Sequence, residues 1–174
     1  MTLSNSLVKQ IQDAGLRPEH IEQLVRAAIA EDLNGGTDVT STATIPDDQY
    51  STAQFVNRKS GVLAGVPIVC AVLEVCGVTD YSIFHNDGES IPANKLVLSA
   101  RGKTRALLLA ERSALNFFGH LSGIATLTKQ WVDAVSDTNT LIRDTRKTTP
   151  GLRELEKYAV RMGGGINHRL SLAD

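Results

Sequence analysis

Between Arg143 and Arg169 the chain reads RDTRKTTPGLRELEKYAVRMGGGINHR, and this stretch constrains the possible folds more than any other. Thr140-Leu141-Ile142 before it reads as the end of a buried strand, with Thr145, Arg146 and Lys147 following at once. Thr149 offers an N-cap oxygen, Pro150 suits the first helical position, and Leu152, Leu155, Tyr158 and Ala159 keep a helical period. Gly163, Gly164 and Gly165 stop that helix, and Ile166-Asn167-His168-Arg169 comes next. Strand, capped helix and return form an α/β unit, and in such folds ligands lie over the carboxyl ends of the strands. The stretch holds seven of the 18 Lys and Arg residues against only Asp144, Glu154 and Glu156, in a chain of net charge −1. That local excess of positive charge suggests a site for an anion.

The rest of the composition narrows the class. At 174 residues the chain is long enough for one ordinary domain, or a small domain and part of another. Its 42% hydrophobic content supports a core, and 5% aromatics make that core aliphatic. Near-zero net charge argues against a general nucleic-acid or membrane surface. Cys70 and Cys76, the only cysteines, lie in the apolar run PIVCAVLEVCG and read as buried thiols on a helix, without a zinc spacing or a disulfide framework. No signal peptide is read at the start, and no apolar stretch is long enough to span a bilayer. A reducing, cytoplasmic setting is the expectation.

Taken in order, Pro18 to Leu33 is a helix, with Ile21, Leu24, Val25, Ala28 and Ile29 at helical spacing and Asn34-Gly35-Gly36 ending it. Asp38 to Thr42 is expected to continue in extended form. Residues 1–50 carry eight Asp and Glu against three Lys and Arg, read as a solvated helix face. Ser51 to Arg58 and Gly61 to Ala64 read as strands, Pro67 to Cys76 as a short apolar helix, and Tyr81 to His85 and Leu96 to Ala100 as strands. Asn86-Asp87-Gly88 is a turn. Thr104 to about Val135 reads as two helices interrupted at Gly119 or Gly123, the second capped by Ser122. His20 and His85 stand alone among polar neighbours and read as ordinary surface or strand histidines. A small α/β sandwich, a helical connection and the start of an α/β domain follow from this order.

DTRKTTPGLR, followed by KYAV, GGG and NHR, resembles the quinolinate phosphoribosyltransferase family. AIAEDLNGGTDVTS at 28–41 and ERSALNFFGHLSGIATLT at 111–128 agree, so the resemblance covers nearly the whole chain. It implies an α/β fold of the type II phosphoribosyltransferase kind: an N-terminal α/β sandwich domain over 1–115, then over 116–174 the first part of an α/β barrel, truncated at Asp174. Family members continue well beyond that point, and a full eight-stranded barrel takes roughly 250 residues. The implied reaction joins quinolinate to phosphoribosyl pyrophosphate and gives nicotinate mononucleotide, pyrophosphate and carbon dioxide in de novo NAD biosynthesis. The resemblance also implies Mg²⁺ with the second substrate, its ligands outside this chain. The chain alone is therefore expected not to turn over.

Quinolinate carries two adjacent carboxylates, which suit forked guanidinium donors and point charges. The resemblance places it at Thr145, Arg146, Lys147, His168 and Arg169. The plain alternative pairs Arg146 and Lys147 with Asp144 and Glu154 at the surface. Arg153, Lys157 and Arg161, spaced by four, read as a solvated stripe outside the ligand set, although Arg153 could sit near a carboxylate. Arg112 reads either as a surface partner of Glu111 or, by resemblance, as a residue contributed to the neighbouring site of a homodimer. No catalytic residue and no metal ligand is assigned within the chain. A phosphoribosyltransferase acting on a monocarboxylate, or a non-catalytic anion-binding or dimerisation module, remain as alternatives.

Overall fold

Two amphipathic helices open the described part of the chain, residues 3–173 of a computed structural model. In α1 (Asn5–Asp13) the Ser4 hydroxyl accepts the Leu7 N–H, and Leu7 and Ile11 face inward. The second helix, α2 (Pro18–Leu33), has the expected bounds: Pro18 at its first turn, Ile21, Val25 and Ile29 buried, and Asn34 left-handed at its end. The stretch after it departs from expectation. Residues Val39–Thr44 form a short helix, α3, because the Asp38 carboxylate accepts the Ser41 N–H at 2.9 Å. That cap outweighs the β-branched run of Val39, Thr40 and Thr42.

A three-stranded antiparallel sheet follows, built from β1 (Tyr50–Val56), β3 (Asp80–Ile83) and β5 (Leu96–Lys103), with β5 in the centre. Tyr50 pairs with Lys103 at one end of the β1–β5 ladder, and Asp80 with Arg101 in β3–β5. A second, two-stranded sheet joins β2 (Gly61–Val62) to β4 (Ser90–Ile91). After β2 in the chain comes α4 (Val66–Val75), packed on α5, α2 and α1, in which every residue from Val66 to Glu74 is buried, as an all-round apolar helix must be. Burial pushes the Cys70 thiol up to about 12 and Cys76 to about 11, which leaves both protonated and inert at neutral pH.

One helix, α5 (Thr104–Ala134), replaces the two that were expected. Its 31 residues run about 46 Å at 1.5 Å per residue. Gly119 and Gly123 do not break it, since both face open space and neither takes a positive φ. Ser122 caps nothing; its hydroxyl donates to Ala64 O and accepts from Ala64 N, both at 3.1 Å. Thr126, one turn on, accepts the Val62 N–H at 2.9 Å. The helix thus supplies side-chain hydroxyls where the β2 edge lacks a neighbouring strand. The residue-115 boundary falls inside α5, and the core runs without interruption from Leu3 to Ala159.

Beyond α5 the expected buried strand is not formed. Leu141 is 70% exposed, and the extended segment makes a single parallel bridge, Arg143 to Ile166. Its bonds are Ile166 N–H to Ile142 O at 2.9 Å and Asp144 N–H to Ile166 O at 3.1 Å. No second strand flanks it among the described residues, so the ladder stops there. The crossover between the bridged residues is α6 (Arg153–Met162), which begins three residues after Pro150. Thr149 to Leu152 form a turn instead, with Gly151 at φ +83, a conformation that cannot continue into a right-handed helix. Gly163 ends α6 as anticipated.

Candidate anion site

The loops on either side of α6 meet around one carboxylate. Asp144 Oδ1 accepts from Lys157 Nζ at 2.6 Å and from the His168 N–H at 2.7 Å, and its Oδ2 accepts from Asn167 Nδ2 at 2.7 Å. Lys157 also donates to His168 O at 2.9 Å. Both charges are out of solvent, with the Lys157 side chain 1% and Asp144 6% exposed. Such a pair is held by its extra hydrogen bonds, because desolvation of two ions offsets much of their attraction.

This corrects the reading of Arg153, Lys157 and Arg161 as a solvated stripe. Lys157 is buried beside Leu155, Tyr158 and Ala159. Arg161 donates to Asn167 Oδ1 at 2.8 Å and Ala14 O at 2.7 Å and stacks 5.5 Å from the Tyr158 ring centroid. Arg153 donates to Thr148 Oγ1 at 3.1 Å and to Leu170 O at 3.3 Å, tying the two loops together on their other side. All three therefore build the site's frame.

The neighbouring acids are taken as well. Glu154 accepts from Arg17 and from His20 at 2.5 Å, and Glu156 meets His120 at 2.9 Å and the Thr149 N–H at 3.1 Å. Burial alone would raise the Glu154 carboxyl, but hydrogen bonds from Arg17 and His20 outweigh it and hold the group below the ordinary glutamate range. His20 is thus no lone histidine, and neither is His85, which lies 2.8 Å from Glu89. Among the described residues Arg146, Lys147 and Arg169 make no ion pair, so the alternative in which Arg146 and Lys147 pair with Asp144 and Glu154 is not what the structure has. Arg146 Nε is buried with no acceptor at all, the kind of orphaned donor that a bound group satisfies.

Thr145 spends its hydroxyl on the turn, accepting the Lys147 N–H at 3.2 Å. His168 Nδ1 accepts the Arg169 N–H at 2.8 Å, so a neutral ring carries its proton on Nε2 and can donate from there. The parallel bridge and the Asp144 hub thus bring the segments of Thr145, Arg146, Lys147, His168 and Arg169 side by side. Arg112 is elsewhere: it lines a cavity of about 520 Å³ between α2 and α5, with Glu31, Asp32, Asn116 and His120.

No group of three or more His, Cys, Asp or Glu side chains forms a metal site among the described residues. Asp144, the carboxylate at the centre, already accepts from three donors, so the residues present do not fit Mg²⁺. Sequence reading missed Asp144, Lys157 and Asn167 as a unit. The available signal was a lone Asp inside a basic run and a Lys placed next to apolar helix positions. Asp87, read only as a turn residue, accepts from Gly65 and Val66 N–H at the α4 start and from Tyr158 Oη at 2.5 Å.

A mixed α/β chain with uncompensated guanidiniums on two loops joined by one parallel bridge across α6 has the make-up of an anion-binding domain. Comparison with known proteins is specific. The model of the quinolinate phosphoribosyl transferase N-terminal domain matches residues 38–122, and that of the C-terminal domain matches 124–174. The chain belongs to the quinolinate phosphoribosyltransferase family. It is 50% identical over 153 residues to a nicotinate-nucleotide pyrophosphorylase [carboxylating] of Mycobacterium leprae, covering 86% of this chain and 54% of that protein. A Nicotiana tabacum quinolinate phosphoribosyltransferase [decarboxylating] is 39% identical over 157 residues, covering 88% and 44%. The crystal structure of NadC from Streptococcus pyogenes superposes with a TM-score of 0.86 at 40% identity, over 91% of this chain and 56% of that one. The nicotinate-nucleotide pyrophosphorylase of Ehrlichia chaffeensis gives 0.83 at 35% identity, covering 100% and 58%. The chain thus spans about half the length of the relatives it matches.

Proposed function

We propose that this chain supplies the quinolinate-binding part of a cytoplasmic phosphoribosyltransferase that makes nicotinate mononucleotide. The observation that carries the reading is the set Arg146, Lys147 and Arg169, without an ion pair among the described residues while Asp144, Glu154 and Glu156 are each engaged by another residue. Two adjacent carboxylates would fill it, with His168 Nε2 as a further donor and Thr145 shaping the turn that presents Arg146 and Lys147. Held there, the pyridine nitrogen is aligned with the anomeric carbon of phosphoribosyl pyrophosphate. Its lone pair forms the N–C bond as the bond to pyrophosphate breaks. The cationic ring then takes up the electron pair released when the adjacent carboxylate leaves as carbon dioxide, and a proton from solvent replaces it. Mg²⁺ belongs with phosphoribosyl pyrophosphate, and no step here runs through it. Arg112 completes the site of a partner copy in a homodimer.

The test is a calorimetric titration of the chain with quinolinate and with nicotinate. Quinolinate should bind more tightly, and Arg146→Ala or Arg169→Ala should each cost about 1.5–3 kcal/mol of that binding. Equal affinity for the two acids would favour a monocarboxylate substrate. Unchanged binding in both variants would place the ligand elsewhere.

A further inference from the structure

Among the described residues, the two loops that carry the basic groups are joined by backbone at one point, the Arg143–Ile166 bridge. Past Ile166 no ladder continues, yet the donors that must match two carboxylates at fixed spacing begin just there, at His168 and Arg169. The continuation is made by side chains. His168 has its N–H held by Asp144 Oδ1 at 2.7 Å and its C=O held by Lys157 Nζ at 2.9 Å, so both of its main-chain groups are gripped by one buried ion pair. Asn167 closes the third side, donating to Asp144 Oδ2 at 2.7 Å and to Lys157 O at 2.8 Å. An ion pair with almost no solvent contact contributes little net stability against apolar side chains of the same volume. What it does supply is a fixed distance between the Arg146 loop and the His168–Arg169 loop.

The geometry points to Lys157 and Asp144 as positioning residues that set the spacing of the basic groups and so the preference for a vicinal dicarboxylate over a monocarboxylate. This rests on the reading of the cluster as a quinolinate site. Neither residue needs to touch the ligand: Asp144 already accepts from three donors of the chain, and Lys157 is spent on Asp144 and His168. A monocarboxylate needs donors from one loop alone. A dicarboxylate needs both loops at once, so it is the ligand that registers a change in their separation.

The experiment compares the unsubstituted chain with the double variant Asp144→Asn/Lys157→Met, which removes both charges while keeping most of the volume. Folding is checked by circular dichroism, and dissociation constants are measured for quinolinate and for nicotinate. The expected result is a folded variant whose quinolinate affinity falls about tenfold or more while nicotinate affinity changes little, so that the ratio between them collapses. A lowered melting temperature with an unchanged ratio would show a merely structural pair and overturn the inference. If the double variant does not fold, Asn167→Ala carries the same test, since it removes one donor to Asp144 without exposing a buried charge. An unchanged ratio there overturns the inference equally. Absence of quinolinate binding by the unsubstituted chain is a different outcome: it sinks the functional reading itself, and this role with it.

Discussion

Gly163 sets how closely α6 packs on α5 by lacking a Cβ. A methyl group there would run into Ala125 O and lie 2.6 Å from Thr128 Cβ, so α6 can approach α5 this closely only with glycine. Its φ of −78 is open to any residue, and the constraint is one of space alone. Gly163→Ala should therefore destabilise the chain by about 1–3 kcal/mol or more through overpacking, read as a lowered midpoint in urea unfolding. Gly119→Ala, facing open space on the same helix pair, should be neutral or slightly stabilising in the same assay. Sequence alone marks the Gly163–Gly165 run as a helix stop but cannot separate a stop from a close contact. The same limit explains Lys157. A helical wheel places it among charges of its own stripe, and only the tertiary position of Asp144 makes it a buried residue.

Local chemistry makes α2 and α4 legible, but the Asp38 cap of α3 and the Gly151 turn before α6, equally local, read as extended chain and as helix. Pro18 and Asn34 bracket α2, and the apolar run of α4 leaves no polar face to expose. Where a distant partner decided, the reading failed: α5 stays whole because Ser122 and Thr126 serve the β2 edge, and the segment before Asp144 stays outside a sheet for want of a neighbour. At the junction of α2 and α6, Glu154 bridges Arg17 and His20. Its carboxyl is held below the ordinary range in the folded chain, so it contributes stability that is present above about pH 4.3 and is lost as pH falls through the folded value. The unfolding free energies of the unsubstituted chain and Glu154→Gln should therefore differ at pH 6–7 and converge as the solution is acidified toward about pH 3. A difference that stays constant over that range would show that the Glu154 charge does not stabilise the fold.

At the scale of the whole molecule, Arg112 and the Arg146 cluster belong to separate parts of one chain's surface. The proposal above joins them through a second copy. Arg112→Ala and Arg146→Ala chains, each weak alone, should on mixing regain about one strong quinolinate site per mixed dimer, because one of its two sites keeps both arginines. Failure to regain any site after demonstrated subunit exchange would contradict the trans role. No helix among the described residues is long and apolar enough to cross a membrane.

The central claim is that the two loops flanking α6 form one dicarboxylate site, framed by Asp144 and Lys157. The most direct measurement is a quinolinate titration followed by amide chemical shifts of the isotopically labelled chain. The account predicts saturable shifts concentrated on the Thr145–Lys147 and His168–Arg169 amides, with Arg146→Ala abolishing both sets together. Shifts centred instead on the cavity lined by Arg17, His20, Arg153 and Arg161, with the Arg146 and Arg169 amides unmoved, would contradict it.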